Sequence, residues 1–235
     1  DNLRLADHIL VPSPHTRSVL VERYEADPAR ITVLRPGVAP AAGLPAPVTP
    51  PLVLSVGILH PRKGHDVLID ALASLRNLDW TAAIVGSAWD PEHAEDLTRK
   101  VTKHGLEHRL RLAGRVPLKE LQRFYRSASI FALATRYEGY GIVFDEAMSY
   151  GLPVVSCDAG AVRDTLPTDA TLLVSPDDAP AFAAALRRLL SDPGLRQRLS
   201  AAALKAGTAQ PGWPEQARIA SKVIDQLAAQ AANGR

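Results

Sequence analysis

The most informative part of the chain is Thr135-Arg-Tyr-Glu-Gly-Tyr-Gly-Ile-Val-Phe-Asp-Glu-Ala-Met148. An apolar run over residues 129–134, which has strand character, leads into it, and a helical pattern over 142–150 stops at Gly151. A strand, a glycine loop and a helix in this order place the first helical N–H groups at the carboxyl end of the strand. Anionic ligands bind at this edge of open α/β sheets. The stretch therefore predicts a ligand site at the carboxyl edge of a parallel sheet.

Two glycines and two glutamates of this stretch are candidates for ligand contact. Gly139 and Gly141 lack a Cβ, so a ligand can approach the backbone closely. Glu138 precedes the loop, and Glu146 lies about one turn into the helix, roughly 6 Å further along its axis. Ionised carboxylates only accept hydrogen bonds and therefore suit the hydroxyl groups of one bound molecule. Glu-x7-Glu is a weak motif by itself. The alternative interpretation is that Glu138 caps a helix and that Glu146 is a solvated helix residue.

The chain from residue 52 onward alternates between two patterns. Short apolar runs predict six strands, at 52–56, 81–85, 109–113, 130–134, 153–157 and 171–174. Helical patterns fall at 66–75, 91–104, 118–127, 142–150, 161–166, 180–190 and 193–206. This alternation predicts an α/β fold, a Rossmann-like doubly wound parallel six-stranded sheet with helices on both faces.

The flanking segments predict further units. Residues 1–40, with strand patterns at 6–13 and 30–37 around a helix at 14–24, are expected to be the remnant of another domain. Unpaired strand edges there would favour self-association or disorder. Five prolines within 38–51 predict an extended linker, bounded at 41–51. The ligand-binding domain is placed at 52–210, and an amphipathic helix at 211–235. Since the chain begins with an aspartate, it is expected to be part of a longer gene product.

Composition excludes several classes of protein. The 235 residues are 46% hydrophobic and 22% charged, which is typical of a soluble globular protein. A formal net charge of +2 does not indicate nucleic-acid binding. The single cysteine, Cys157, precludes an internal disulfide and is interpreted as a core residue of a protein in a reducing compartment. No run approaches the ~18 apolar residues of a membrane span. A cytoplasmic location is expected.

A second informative stretch is Leu54-Ser-Val-Gly57-Ile-Leu-His-Pro-Arg-Lys63-Gly64. A strand runs into a glycine loop, and a lysine follows at a helix start, where its charge and the backbone N–H groups suit a diphosphate. The alternative is a solvated Arg-Lys pair in a surface loop. Neither Gly-x4-Gly-Lys-Ser/Thr nor Gly-x-Gly-x-x-Gly is present, which argues against P-loop NTPases and dinucleotide dehydrogenases.

Both stretches resemble one known family. Glu138-Gly-Tyr-Gly-Ile-Val-Phe-Asp-Glu-Ala-Met-Ser-Tyr-Gly-Leu-Pro-Val-Val155 resembles the donor-binding signature of retaining GT-B glycosyltransferases, family 4 (glycosyl transferases group 1). Val56-Gly-Ile-Leu-His-Pro-Arg-Lys-Gly64 is similar to the Val-Gly-Arg-Leu-x-x-x-Lys-Gly segment of that family, with Ile58 in place of the arginine. The resemblance covers residues 3–227 and implies that the chain holds the C-terminal half of a GT-B fold.

The resemblance implies roles for individual residues. Lys63 would hold the donor diphosphate, Glu138 a hydroxyl of the donor sugar, and Glu146 the ribose hydroxyls. The backbone of Val116 would meet the nucleobase, and the N–H groups of 141–143 the distal phosphate. Lys63 and Glu138 are the implied catalytic residues. The full implied donor-binding set is Gly57, Arg62, Lys63, Val116, Glu138, Gly139, Gly141, Ile142, Val143 and Glu146.

The resemblance also implies an activity. The full-length protein is expected to move a sugar, with retention of anomeric configuration, from a UDP- or GDP-linked donor to an acceptor glycan, lipid or small molecule held by a missing N-terminal domain. Polysaccharide or glycolipid biosynthesis, with peripheral binding at the inner face of the membrane, would fit. No cofactor or metal is expected, since no Asp-x-Asp pair occurs. The alternatives are a donor-binding module that is inactive by itself and a sugar-nucleotide epimerase or phosphorylase of the same architecture.

Overall fold

The computed structural model describes residues 2–233. The strands are β1 (Ile9–Val11), β2 (Ile31–Val33), β3 (Leu52–Val56), β4 (Thr81–Val85), β5 (Leu110–Gly114), β6 (Ile130–Leu133), β7 (Val154–Cys157) and β8 (Thr171–Val174). The helices are α1 (Asn2–Leu5), α2 (Pro14–Tyr24), α3 (His65–Ala73), α4 (Pro91–Lys103), α5 (Leu118–Ser127), α6 (Ile142–Ser149), α7 (Val162–Thr165), α8 (Ala179–Ser191), α9 (Pro193–Thr208) and α10 (Trp213–Asn233). Pro28–Arg30 and Pro61–Lys63 form single 3-10 turns.

Strands β3 to β8 form one six-stranded sheet in the order β5-β4-β3-β6-β7-β8, with every neighbouring pair parallel. The predicted doubly wound parallel sheet is thereby confirmed. The chain builds outward from β3 in one direction and then returns to build from β6 in the other. The order therefore reverses between β3 and β6, and ligands of open α/β sheets bind in the crevice at such a reversal.

Both faces of the sheet are covered, as expected for a parallel sheet. One core cluster packs α3, α4 and α8 on the sheet around Leu68, Trp80 and Phe182. The other packs α5, α6 and α9 around Phe131 and Phe144. Cys157 is fully buried in the first cluster, as the sequence predicted. The sheet is thus held rigidly from both sides, and its carboxyl edge is fixed in place.

The N-terminal strands are shorter than the predicted ranges 6–13 and 30–37. Strands β1 and β2 pair with each other in parallel, from Ile9↔Ile31 to Val11↔Val33. Pro12 and Pro36, which have no N–H to donate to a ladder, lie just beyond them. Each strand therefore covers one edge of the other, and self-association through the remaining edges stays a prediction.

The proline-rich segment, residues 38–51, has no regular secondary structure and lies beside the end of α5. Ala46 N–H donates to Arg126 O at 2.7 Å, and Val48 N–H donates to Ser127 O at 3.1 Å. The domain boundaries proposed from the sequence stay predictions. Among residues 2–233, no helix has both the length and the apolar character needed to cross a lipid bilayer.

Candidate active site

The loops that follow β3 and β6 meet at the reversal of strand order. Gly64 has φ +63, and a Cβ on it would lie 1.8 Å from Ala134 O at the end of β6. Only glycine fits this approach, because a side chain would collide with backbone. Arg136 N–H also donates to Arg62 O at 2.8 Å. The two stretches that the sequence singled out are therefore in direct contact.

A buried ion pair joins the two loops. Lys63 Nζ lies 2.6 Å from Glu138 Oε1, and the two residues are 9% and 4% exposed. Thr135 Oγ1 donates to the same carboxylate oxygen at 3.1 Å. Arg62 adds a second, more exposed cation, with Nη1 3.8 Å from Glu138 Oε2 and 2.9 Å from Tyr137 O. The structure thus brings Arg62, Lys63 and Glu138 together.

The N-terminus of α6 adjoins this pair. Gly141, the residue before the helix, has φ +92 and provides no side-chain cap. The N–H groups of Ile142 and Val143 donate to no acceptor within residues 2–233. Unpaired N–H groups and the positive end of the helix dipole favour an anion here. The distal phosphate that the family resemblance assigns to these groups stays a prediction.

Glu146 lies in a different environment. Its Oε2 accepts a hydrogen bond from Tyr125 OH at 2.8 Å, and burial raises the pKa of its carboxyl. It lines a cavity of about 160 Å³. The cavity walls consist of Gly37, Val38, Ala39, Pro40, Leu118, Leu121, Gln122, Tyr125, Ile142, Glu146, Ser149, Tyr150 and Trp213. A mostly apolar pocket with one carboxylate suits a flat ring that carries hydroxyl groups.

The remaining predicted residues occupy supporting positions. Gly57 lies under the Lys63 side chain, where an added Cβ would be 3.4 Å from Lys63 Cδ. Val116 and Val143 are partly buried and pack against the second core cluster. Of the predicted set, Ile142 and Glu146 line the cavity. The assignment of donor contacts to these residues stays a prediction, as does the absence of a metal requirement.

The N-terminal segment also reaches the glycine loop, which the sequence analysis did not predict. Ser13 Oγ and Thr16 Oγ1 donate to Gly139 O at 2.7 and 3.1 Å. His15 N–H donates to Asp164 Oδ2 at 2.7 Å. These bonds join residues more than 120 positions apart in the chain, and no local pattern points to them. The start of α2 thus holds the loop from the side of the N-terminal strands.

Asp145, next to Glu146, is fully buried. Burial raises the pKa of its carboxyl to about 6, although Tyr140 OH donates to Oδ2 and Arg35 is a nearby positive charge. Oδ1 has no hydrogen-bond partner in the described part of the chain. A carboxyl with this pKa changes its charge near neutral pH.

Comparison with known proteins identifies the family. A family model described as "Glycosyl transferases group 1" matches residues 41–206. D-inositol 3-phosphate glycosyltransferase of Kineococcus radiotolerans is 33% identical, over 85% of this chain and 53% of the relative. The enzyme of that name from Xylanimonas cellulosilytica is 31% identical, over 94% of this chain and 57% of the relative. The chain spans about half the length of these relatives.

Solved structures agree with the family match. Sucrose-phosphate synthase from Thermosynechococcus elongatus superposes with a TM-score of 0.84 at 27% identity, covering 96% of this chain and 59% of that chain. Anabaena HepE in complex with UDP-glucose superposes with a TM-score of 0.84 at 21% identity, covering 97% of this chain and 67% of that chain, and shows the same fold. The GT-B resemblance of the sequence is confirmed, and the chain belongs to the glycosyl transferases group 1 family.

Proposed function

We propose that this chain is the nucleotide-sugar-binding part of a glycosyltransferase that retains the anomeric configuration of the transferred sugar. The observation that carries the proposal is the buried Lys63–Glu138 pair, 2.6 Å apart, at the reversal of strand order beside the free N–H groups of α6. A cation and helix N–H groups suit a diphosphate, and a carboxylate suits sugar hydroxyls. A nucleotide sugar carries both groups in adjacent positions.

Lys63 and the start of α6 would act on the departing diphosphate. When the bond at the anomeric carbon breaks, negative charge develops on the phosphate oxygens and positive charge on the sugar. A preorganised donor aimed at the developing negative charge can contribute about 3 kcal/mol to lowering the barrier. The Glu138 carboxylate accepts a hydrogen bond from the Lys63 ammonium. Once the diphosphate engages that ammonium, the Glu138 carboxylate can accept from a sugar hydroxyl instead.

The cavity around Glu146 would hold the nucleoside. Its apolar walls include Leu121, which packs against the same core cluster as the predicted base-contacting residue Val116. The carboxylate of Glu146 offers an acceptor for the ribose hydroxyls. The solved HepE complex contains UDP-glucose, which makes a uridine donor the first one to test.

The acceptor would bind to parts of the longer protein. The two relatives compared above are named D-inositol 3-phosphate glycosyltransferase, so a phosphorylated cyclitol is the first acceptor to test. Because this chain spans about half of their length, a second candidate function is favoured for the isolated chain. In this second candidate, the chain binds the donor and does not transfer the sugar by itself.

Titration of the 235-residue chain with UDP-, GDP- and ADP-sugars tests donor binding. A ligand at 100 times its Kd raises the free energy of unfolding by about 2.7 kcal/mol, which a thermal shift assay detects. Lys63→Ala and Glu146→Ala should lose the shift, whereas Lys103→Ala, at the end of α4, should keep it. No response to any nucleotide sugar would overturn the proposal. Transfer by the full-length protein, with the product anomer assigned by NMR, separates the enzyme from the binding module.

A further inference from the structure

Tyr125 contacts the carboxylate that the proposed function assigns to the ribose. Its hydroxyl donates to Glu146 Oε2 at 2.8 Å, across 21 positions of sequence from α5 to α6. Glu146 Oε1 accepts no hydrogen bond from the residues that the structure describes. Oε2 is therefore bound by the protein, and Oε1 can accept a hydrogen bond from a ligand in the cavity that Glu146 lines.

The hydroxyl of Tyr125 acts as a donor over the whole working pH range. Burial and the adjacent Glu146 charge raise its pKa well above the usual range, so it keeps its proton. Because the phenol stays protonated, it donates in the hydrogen bond to Glu146 and the carboxylate accepts. Glu146 therefore has one fixed bond and one free oxygen of defined direction.

The ring of Tyr125 is held in place by its neighbours. It stacks on Tyr150 with 5.3 Å between ring centroids and 7° between planes, and on Phe131 at 6.2 Å and 21°. Tyr125 is only 2% exposed. Tyr150, the other tyrosine of the stack, accepts from Ala42 N–H at 3.0 Å and makes no bond to Glu146. The two hydroxyls of the stack thus have different partners.

We propose that Tyr125 is a positioning residue that fixes Glu146 to accept from the ribose 2′-hydroxyl, and that this contact selects ribonucleotide over 2′-deoxyribonucleotide donors. The inference rests on the proposed function, since it requires a nucleotide in the cavity. A site built to accept from a hydroxyl discriminates against the analogue that lacks it, because a buried polar group is then left unpaired. A carboxylate that is free to turn loses part of this discrimination.

The test compares Kd values for UDP and 2′-deoxy-UDP, and for the matching GDP and ADP pairs, on the 235-residue chain by calorimetry. Tyr125→Phe keeps the ring in the stack and removes the hydroxyl. A hydrogen bond to a charged group accounts for about a tenfold change in affinity. The ratio of the Kd for the 2′-deoxynucleotide to the Kd for the ribonucleotide should therefore fall about tenfold in Tyr125→Phe, mainly because the ribonucleotide binds more weakly.

Two further variants separate positioning from a general loss of structure. Tyr150→Phe removes the other hydroxyl of the stack and should leave the ratio of Kd values unchanged, whatever it does to overall affinity. Glu146→Gln should lower the ratio, and adding Tyr125→Phe to it should change the ratio no further, because both act on one contact. Thermal unfolding of each variant checks that it is folded.

The outcomes are distinct. Nucleotide binding with a wild-type ratio in Tyr125→Phe overturns this inference and leaves the proposed function standing. A wild-type ratio in Glu146→Gln overturns it as well, whether or not Tyr125→Phe folds. An equal fall of the ratio in Tyr150→Phe assigns the effect to the stack and not to the Glu146 contact, and so overturns it too. If no nucleotide binds to the wild-type chain, the inference and the proposed function both fail.

Discussion

The Lys63 ammonium lies 2.6 Å from the Glu138 carboxylate, and neither residue is more than 9% exposed. Each charge is compensated by the other in a place that water scarcely reaches. Removal of one partner from such a pair costs more than removal of both, because the remaining charge is left buried and unpaired. A comparison of single and double variants can therefore distinguish the contribution of the pair to stability from its proposed role in binding.

Lys63→Met should lower the free energy of unfolding by about 3 kcal/mol, because it strands the Glu138 carboxylate without its cation. Methionine keeps most of the apolar length of the side chain over Gly57, so the loss reflects charge more than packing. Urea denaturation at pH 7 measures the change.

The matched variant combines Lys63→Met with Glu138→Gln. Removal of both charges should restore most of the lost stability, while binding of nucleotide diphosphates should stay absent. If the double variant is as unstable as Lys63→Met, the loss arises from packing and the electrostatic argument is wrong.

The contact between the two loops predicts that replacement of two glycines with similar φ angles by alanine lowers stability by different amounts. A Cβ on Gly64, at φ +63, would lie 1.8 Å from Ala134 O, whereas one on Gly105, at φ +59, would meet nothing within 4 Å. Gly105→Ala should cost about 1–2 kcal/mol from backbone conformation alone. Gly64→Ala should cost at least about 2 kcal/mol more, since the loops must move apart. Equal urea midpoints for the two variants would contradict the close approach of the loops.

Much of the sheet could be predicted because its signals are local. Each of its strands is a short apolar run between helical patterns, and glycines such as Gly64 and Gly141 mark backbone turns in the sequence itself. The predicted ranges of the N-terminal strands were too long because they include Pro12 and Pro36, which have no N–H to donate to a ladder, whereas pairing ends at Val11 and Val33.

The finer structure of the site could not be predicted because it depends on packing between distant segments. The Tyr125–Glu146 bond depends on how α5 and α6 lie on the same face of the sheet. The bond from Ser13 to Gly139 spans 126 positions. The resemblance assigned Lys63 and Glu138 to one donor site, but their direct ion pair depends on the strand order, which places β3 beside β6.

Docking of α2 on the glycine loop predicts a local change in dynamics. Asp164→Ala removes the acceptor of the His15 N–H bond of 2.7 Å. Amide hydrogen exchange in α2 should then accelerate severalfold, because none of its residues is buried, while exchange in β3 and β6 stays slow. Mass spectrometry of peptic fragments measures both. Asp158→Ala, which removes only a partner of the exposed Arg163, is the control and should leave α2 unchanged. Uniform acceleration across the sheet would instead mean global destabilisation.

The buried carboxyl of Asp145 predicts a stability that depends on pH. Its pKa is raised from 3.8 to about 6 in the folded protein, with burial as the main cause. Between these pH values the folded state binds more protons at this site than the unfolded state does. The contribution of the group to the free energy of unfolding is therefore largest below pH 4 and is lost as the pH rises to about 6.

Asp145→Asn keeps an acceptor for the Tyr140 hydroxyl and cannot ionise, so it should not share this loss. Relative to wild type, the variant should become more stable as the pH rises from about 4 to about 6, by up to about 3 kcal/mol, and the difference should be constant above that range. Urea denaturation at intervals from pH 4 to pH 8 measures the difference in the free energy of unfolding. The contributions of the other titrating groups cancel in this difference. Asp225→Asn, on the exposed face of α10, is the matched control substitution. A difference for Asp145→Asn that does not vary with pH would mean that Arg35 and Tyr140 stabilise the carboxylate enough to offset its burial.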